Sequence, residues 1–186
     1  MLLAAVVLAG AVTATAPECG LAHLELCRDT NVLVWRRPFV RAVRAFVGSG
    51  RASYLYHGSV ADQQMEVLGG PPDDPQRIGA RYRFTACRHH SCDEKGAAVL
   101  EPDGRVVATA ILHTRCLEPK PPGGCSDHAV LTLFVRNPAR EAPVIENLTA
   151  WAKGEMLRYE TLERVEVYAA GDGAPKRVSV TMLAHE

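Results

Sequence analysis

Four apolar residues, Phe39, Val43, Phe46 and Val47, recur at i, i+4, i+7 and i+8, while Arg36, Arg37, Arg41 and Arg44 occupy the polar side. That spacing predicts an amphipathic helix over 38–47. Pro38 suits its first turn, and Gly48 with Gly50 ends it. The arginines read as a solvated face rather than as a patch for an anionic partner. Residues 51–79 are less regular, and the Gly-Gly-Pro-Pro-Asp-Asp-Pro run at 69–75 predicts a loop. The period then drops to two. Ala80, Tyr82, Phe84 and Ala86 face one way and Arg81, Arg83 and Thr85 the other, the signature of a half-buried strand. Apolar runs at 97–100 and 106–112 flank Pro102-Asp103-Gly104 and predict a hairpin over 97–112. Ala129 to Val135 predicts a further strand. Asn137-Pro138 opens a second helix in which Val144, Leu148, Trp151 and Ala152 share a face. Arg164 to Ala169 and Lys176 to Leu183 flank Gly171-Asp172-Gly173 and predict a last hairpin. The order implies a single α+β domain, an antiparallel β-sheet packed with two amphipathic helices.

The chain opens on MLLAAVVLAGAVTATA, an apolar run without a charged side chain. It is shorter than the ~20 residues that a spanning helix needs, and it suits a signal-peptide core with a small-residue cleavage site. Cleavage after Ala14 leaves Val12 and Ala14 at the small or aliphatic positions, whereas cleavage after Ala16 puts Pro17 beyond the scissile bond. Residues 1–14 are therefore expected to be a leader, with the mature domain running over 17–186. No other stretch has the length to cross a bilayer, so the expected location is periplasmic or secreted, without a membrane span. With 47% hydrophobic and 23% charged residues, the chain has the composition of a folded protein. Its 21 basic and 21 acidic side chains cancel, which argues against binding to nucleic acid through bulk phosphate attraction.

Export changes the meaning of the six cysteines, because disulfides become the default. Six cysteines allow fifteen pairings. Three pairs are close in sequence, Cys19 with Cys27, Cys87 with Cys92 and Cys116 with Cys125, and local closure is the simplest hypothesis. Each short bridge contributes roughly 2–3 kcal/mol by loop entropy. That is modest for a domain able to build a core, so the bridges point to fixed local shape.

The densest chemistry lies at Cys87-Arg88-His89-His90-Ser91-Cys92, at the end of the predicted strand. Two thiolates and two imidazoles are zinc-ligand types, but adjacent histidines within so short a gap do not readily converge on one ion. The spacing is longer than the Cys-x-x-Cys of redox motifs. The favoured reading is a disulfide-closed loop that thrusts its polar side chains outward. His113, Cys116, Cys125 and His128 form a His-x-x-Cys and Cys-x-x-His pair that also resembles a zinc set. An exported protein is expected instead to bridge Cys116 to Cys125 and leave both histidines at the surface. Ser91 beside His90 lacks an acid to orient it, and no Gly-x-Ser-x-Gly, Walker, GxGxxG or His-Glu-x-x-His motif is present. The expectation is a binding protein, not an enzyme, with no metal and no cofactor.

The stretch from Tyr82 to Cys92, followed by the hairpin around Glu101-Pro102-Asp103-Gly104, resembles the Ivy family of periplasmic inhibitors of vertebrate (c-type) lysozyme. That family carries a strand, a Cys-Lys-Pro-His-Asp-Cys loop and a hairpin with a similar turn. An earlier helix like 38–47 and a later Asn-Pro-led helix like 137–153 fit its order. The resemblance covers roughly 38–112 and 134–153, a little over half the chain. Cys87, His90 and Cys92 match the motif outright, and Arg88 replaces its lysine with another base. His89 stands where the family has proline and Ser91 where it has aspartate, which removes a stiff residue and a charge. The segment 113–128 and the final hairpin have no counterpart in the family pattern.

The resemblance implies an exported inhibitor that inserts loop 87–92 into the lysozyme cleft, where the central histidine meets two catalytic carboxylates. The protein partner would be c-type lysozyme, and a homodimer is compatible with this reading. A neutral chain gains no long-range steering, so affinity is expected to come from local charge on Arg88, His89 and His90. Rival readings are a non-inhibitory envelope binding or scaffold protein of the same fold, and an exported metal-binding protein.

Overall fold

The computed structural model describes residues 16–114, 128–156, 161–171 and 173–183. The expected leader and the Cys116–Cys125 bridge lie outside the described residues. A short 3₁₀ turn at Leu24–Leu26 leads to helix α1 (Thr30–Val34) and helix α2 (Arg37–Val47). Strands β1 (Arg51–Ser53) and β2 (His57–Ser59) form a small hairpin, followed by helix α3 (Val60–Leu68). Strands β3 (Gln76–Ile78), β4 (Arg81–Arg88), β5 (Ser91–Leu100), β6 (Val106–Thr114) and β7 (His128–Val135) come next. Helix α4 (Ala142–Gly154) then precedes β8 (Thr161–Ala169) and β9 (Lys176–Met182). The expected α+β class is what the chain adopts.

Strands β3 to β9 form one sheet in sequence order. Every neighbouring pair is antiparallel except β7 and β8, which run parallel in a register from His128 opposite Thr161 to Val135 opposite Ala169. The antiparallel expectation thus needs one correction, and its cause is α4. Parallel neighbours require a crossover of a dozen or more residues, usually helical, and α4 supplies it. Among the described residues, no helix is long and apolar enough to cross a membrane.

The sheet has a core on each face. On one side, Phe84, Leu100, Ile111 and Phe134 pack under Phe39, Val43 and Phe46 of α2 and Val67 and Leu68 of α3. On the other, Val99, Leu112, Leu131 and Leu133 pack against Val144, Leu148 and Trp151 of α4. Strand β4 is therefore covered on both sides, not half-buried as its alternation predicts. Its second face meets α4 through polar pairs. The Arg81 guanidinium bonds both Glu101 and Glu141, and Arg83 Nη1 donates to Asn147 Oδ1 at 2.8 Å. Long charged side chains extend across apolar surface to reach such partners, so period-2 alternation did not mark solvent here.

Helix α2 matches its predicted span, whereas α3 lies inside the stretch that reads as irregular. Its middle holds Gln63 and Gln64, both fully buried, which interrupt the apolar stripe. Gln63 Oε1 accepts from the Tyr54 and Leu55 backbone N–H groups at 3.0 and 2.9 Å, and its Nε2 donates to the Ala52 and Gly58 carbonyls. The glutamine substitutes for absent backbone pairing and holds the β1–β2 connection against the helix. Ser59 caps the helix by accepting the Asp62 N–H at 3.3 Å.

Candidate functional site

The clipped hairpin at the β4–β5 end is built in three layers. Its base is regular pairing from Tyr82 opposite Leu100 to Cys87 opposite Lys95. The register then shifts, so that Arg88 faces Ser91 and Cys92, Asp93 and Glu94 bulge on the β5 side. Such a bulge bends the strand and re-aims the side chains beyond it. Cys87 and Cys92 are bridged, with their Cα atoms 4.7 Å apart. Cys87 is buried and Cys92 exposed, so the clip spans from core edge to solvent.

His89 and His90 form the two-residue tip and are both exposed. His90 has φ of 65°, and it is the one non-glycine with positive φ among the described residues. Histidine is among the few residues enriched in that region, and backbone held there is characteristic of binding clamps. The two rings lie with centroids 3.9 Å apart, tilted by 57°.

Arg88 lies elsewhere. Its Nε donates to Glu66 Oε1 and its Nη1 to Glu94 Oε2, both at 2.6 Å. The hydrogen bond to Glu94, followed by that to Glu66, outweighs partial burial and raises the guanidinium pKa above its ordinary value. The arginine therefore fastens the hairpin base to α3, while His89, His90 and Ser91 make up the outer surface of the loop.

The outer side of β4 is also supported. The Gly70 N–H donates to the Cys87 carbonyl at 3.1 Å, Cys87 N–H to the Pro71 carbonyl at 3.0 Å, and Asp73 N–H to the Thr85 carbonyl at 3.0 Å. Thr85 Oγ1 returns a bond to Asp73 Oδ2 at 2.8 Å. The 69–75 run is a loop as expected, yet it lines β4 as a strut. Beside it stands Trp35, 72% exposed, its ring 4.0 Å from where a Cβ on Gly69 would stand.

The second bridge, Cys19–Cys27, also has a Cα separation of 4.7 Å. It holds the N-terminal segment at the other end of the sheet, where Leu21 lies against Gly104 of the β5–β6 turn. Gly104 has φ of 81°, the turn conformation that its Pro-Asp-Gly sequence predicts.

The histidines of the zinc-like spacing differ in environment. His128 is exposed and its Nδ1 lies 2.9 Å from Thr161 Oγ1. His113 is buried, which corrects the expectation of a surface residue. Its Nε2 lies 3.1 Å from Thr132 Oγ1, and its ring lies 5.3 Å from that of Tyr54. Its place on β6, facing the Thr132 side of the sheet, explains the burial. Among the described residues no group of three or more His, Cys, Asp or Glu is arranged to hold a metal ion.

Sequence patterning gave no sign of a second polar region. On the α1–α3 side of the sheet, the helices stop short of β8 and β9 and leave a cleft of about 900 Å³. Its floor carries Arg164, Glu166 and Arg177, its inner wall Tyr54 and His113, and its rim Val180 and Met182. Glu166 accepts from Arg164 Nε at 2.7 Å and from the Tyr168 hydroxyl at 3.0 Å. Burial opposes its charge, but these two donors outweigh it and hold the carboxyl below its usual range. Burial likewise pushes the Tyr54 and Tyr168 phenols up. Searched against family models, curated proteins and solved structures, the chain matches none of them.

Proposed function

We propose that this protein is an exported inhibitor of c-type lysozyme that blocks the active-site cleft with the hairpin tip 87–92. The observation carrying the reading is the exposed His89–His90 turn, held on a disulfide-closed hairpin with His90 in the left-handed region. The likeness of Cys87, His90 and Cys92 to the Ivy motif supplies the target, and two bridges fit an oxidising periplasmic or extracellular compartment.

The chemistry of the tip suits that target. A glycosidase of this kind keeps one carboxyl protonated beside an ionised partner. A neutral imidazole carries one N–H donor and one nitrogen acceptor. One ring can therefore donate to the carboxylate while accepting from the acid, which occupies the substrate position and fixes both protons. The clip, the Arg88 ion pairs and the 70–73 strut restrict the tip before contact, so little conformational entropy is lost on docking.

The test is a cell-wall turbidity assay with purified oxidised protein, run against c-type lysozyme and against other muramidase types. Stoichiometric arrest of the c-type enzyme alone is expected. Undiminished lysis in excess protein would overturn the assignment.

A further inference from the structure

We infer that the cleft over β6–β9 is a binding site for a short neutral oligosaccharide, separate from the hairpin tip. The cleft exists because α2 and α3 cover β4–β6, while among the described residues no helix lies above the β8–β9 half of the same face. Where a core would continue, the strands instead carry Arg164, Glu166 and Tyr168 on β8 and Arg177, Val180 and Met182 on β9, in cross-strand register.

The lining selects the ligand in three steps. Its four charged residues, Glu94, Arg164, Glu166 and Arg177, sum to zero, so the walls offer no net attraction to an ion. They do offer unspent hydrogen-bonding capacity of both kinds. Glu94 accepts from Arg88 on Oε2 and Glu166 accepts one bond on each oxygen, which leaves lone pairs on both carboxylates. Arg164 uses Nε on Glu166 and Nη1 on Glu163, which leaves Nη2 available. Arg177 is exposed and makes no ion pair among the described residues. Fixed donors beside fixed acceptors match hydroxyl groups, which need both.

Apolar and aromatic surface adjoins these groups. Val180 and Met182 are 44% and 61% exposed on the rim, and Tyr56, 40% exposed, lines the wall. A sugar ring is amphipathic in the same sense, with hydroxyls at its edge and C–H groups on its faces, and a tyrosine ring presents a matching apolar body with a polar end. An extended peptide is a poorer fit. It binds by pairing main chain with a free strand edge, whereas the cleft is lined by side chains on one face of β8 and β9, and β8 is hydrogen-bonded on both sides. From β6 to β9 the sheet spans about 14 Å at ordinary strand spacing, enough for a short run of linked rings.

The experiment is an NMR titration of the isotope-labelled protein with N-acetylchitotetraose, with tetra-alanine and glucuronate as comparison probes. Saturable shifts at Tyr54, Arg164, Arg177 and Val180, with a Kd on the order of 1 mM, are expected for the sugar alone. Arg177→Ala removes an exposed side chain that makes no ion pair among the described residues and should weaken binding about tenfold while leaving the amide spectrum folded. Met182→Gln tests the apolar rim independently and should weaken it severalfold. An absence of shifts at about 20 mM sugar would overturn the inference. So would shifts confined to 87–92, or equal responses to the peptide or to glucuronate. Lysozyme inhibition is read in a separate assay, so failure of one assignment leaves the other standing.

Discussion

Gly70 runs so close to the clipped hairpin that a Cβ built on it would stand 2.3 Å from the Cys87 carbonyl oxygen and 2.7 Å from the His89 nitrogen. Both are backbone atoms, so a side chain there has nothing flexible to displace. Gly70→Ala is therefore expected to push the strut away from β4 and break the bond between the Gly70 N–H and Cys87. Overpacking of this type costs about 1–3 kcal/mol. Urea unfolding should show the loss, and the tip should lose preorganisation with it. A variant with wild-type stability and wild-type inhibition would mean that the approach is not constraining.

His90 allows its backbone and ring to be tested separately. His90→Ala is expected to weaken lysozyme binding by about 2–5 kcal/mol, the cost of removing one partner from a buried charged contact. His90→Asn keeps a residue that tolerates positive φ while losing the imidazole, so it should fail as the alanine variant does. An unchanged inhibition constant in both would remove the histidine from the mechanism. If asparagine restores inhibition, the turn conformation rather than the ring is what matters.

Trp35 is 72% exposed, whereas Trp151 is buried against the sheet. An exposed tryptophan beside the Gly69 end of the strut is the residue type that dominates protein interfaces. Trp35→Ala should leave stability within about 0.5 kcal/mol, as surface changes do, yet weaken inhibition by about 1–3 kcal/mol. Full inhibition by this variant would confine the contact to the hairpin tip.

Legibility followed the type of interaction. Helix α2 was plain because Phe39, Val43, Phe46 and Val47 are all buried and set a clean period. The hairpin tip was equally legible, since its two cysteines and the alternating strand before them are local signals. Helix α3 was hidden because Gln63 and Gln64 are core residues with polar side chains: Gln63 bonds backbone groups of the β1–β2 connection, and Gln64 Nε2 donates to the Ala110 carbonyl, far away in sequence. Arg88 was misleading for a related reason. Its partners Glu66 and Glu94 come from α3 and from the bulge, so its spent charge emerges only once the chain is folded. The cleft draws its walls from the β1–β2 connection, β6, β8 and β9, and such an assembly leaves no motif.

Gln63 gives that hidden helix a measurable signature. Gln63→Leu keeps the volume but strands the Tyr54 and Leu55 N–H groups that the side chain now satisfies. Each unmet buried donor costs about 1–3 kcal/mol, so a loss of several kcal/mol is expected in denaturant unfolding. Faster hydrogen exchange should appear at Tyr54 and Leu55 in particular. Wild-type exchange at those two amides would show that the glutamine is dispensable.

Glu166 should give stability a dependence on acid pH. Its carboxyl lies below its ordinary value of 4.5 because the hydrogen bonds from Arg164 and Tyr168 outweigh the burial that opposes its charge. A depressed acid stabilises the folded state wherever the unfolded carboxyl would be ionised, and loses that contribution as pH falls through its folded value. Glu166→Gln removes the charge and should cost about 1–3 kcal/mol at neutral pH, the range for a charge-assisted bond. The gap between wild type and variant should hold above the ordinary carboxyl value of 4.5 and close as pH falls below it through the lowered folded value. Denaturant unfolding of both proteins across that range measures it. A gap that stays constant into strong acid would mean the carboxylate's charge contributes nothing, and the Arg164–Glu166 pair would then stabilise by shape alone.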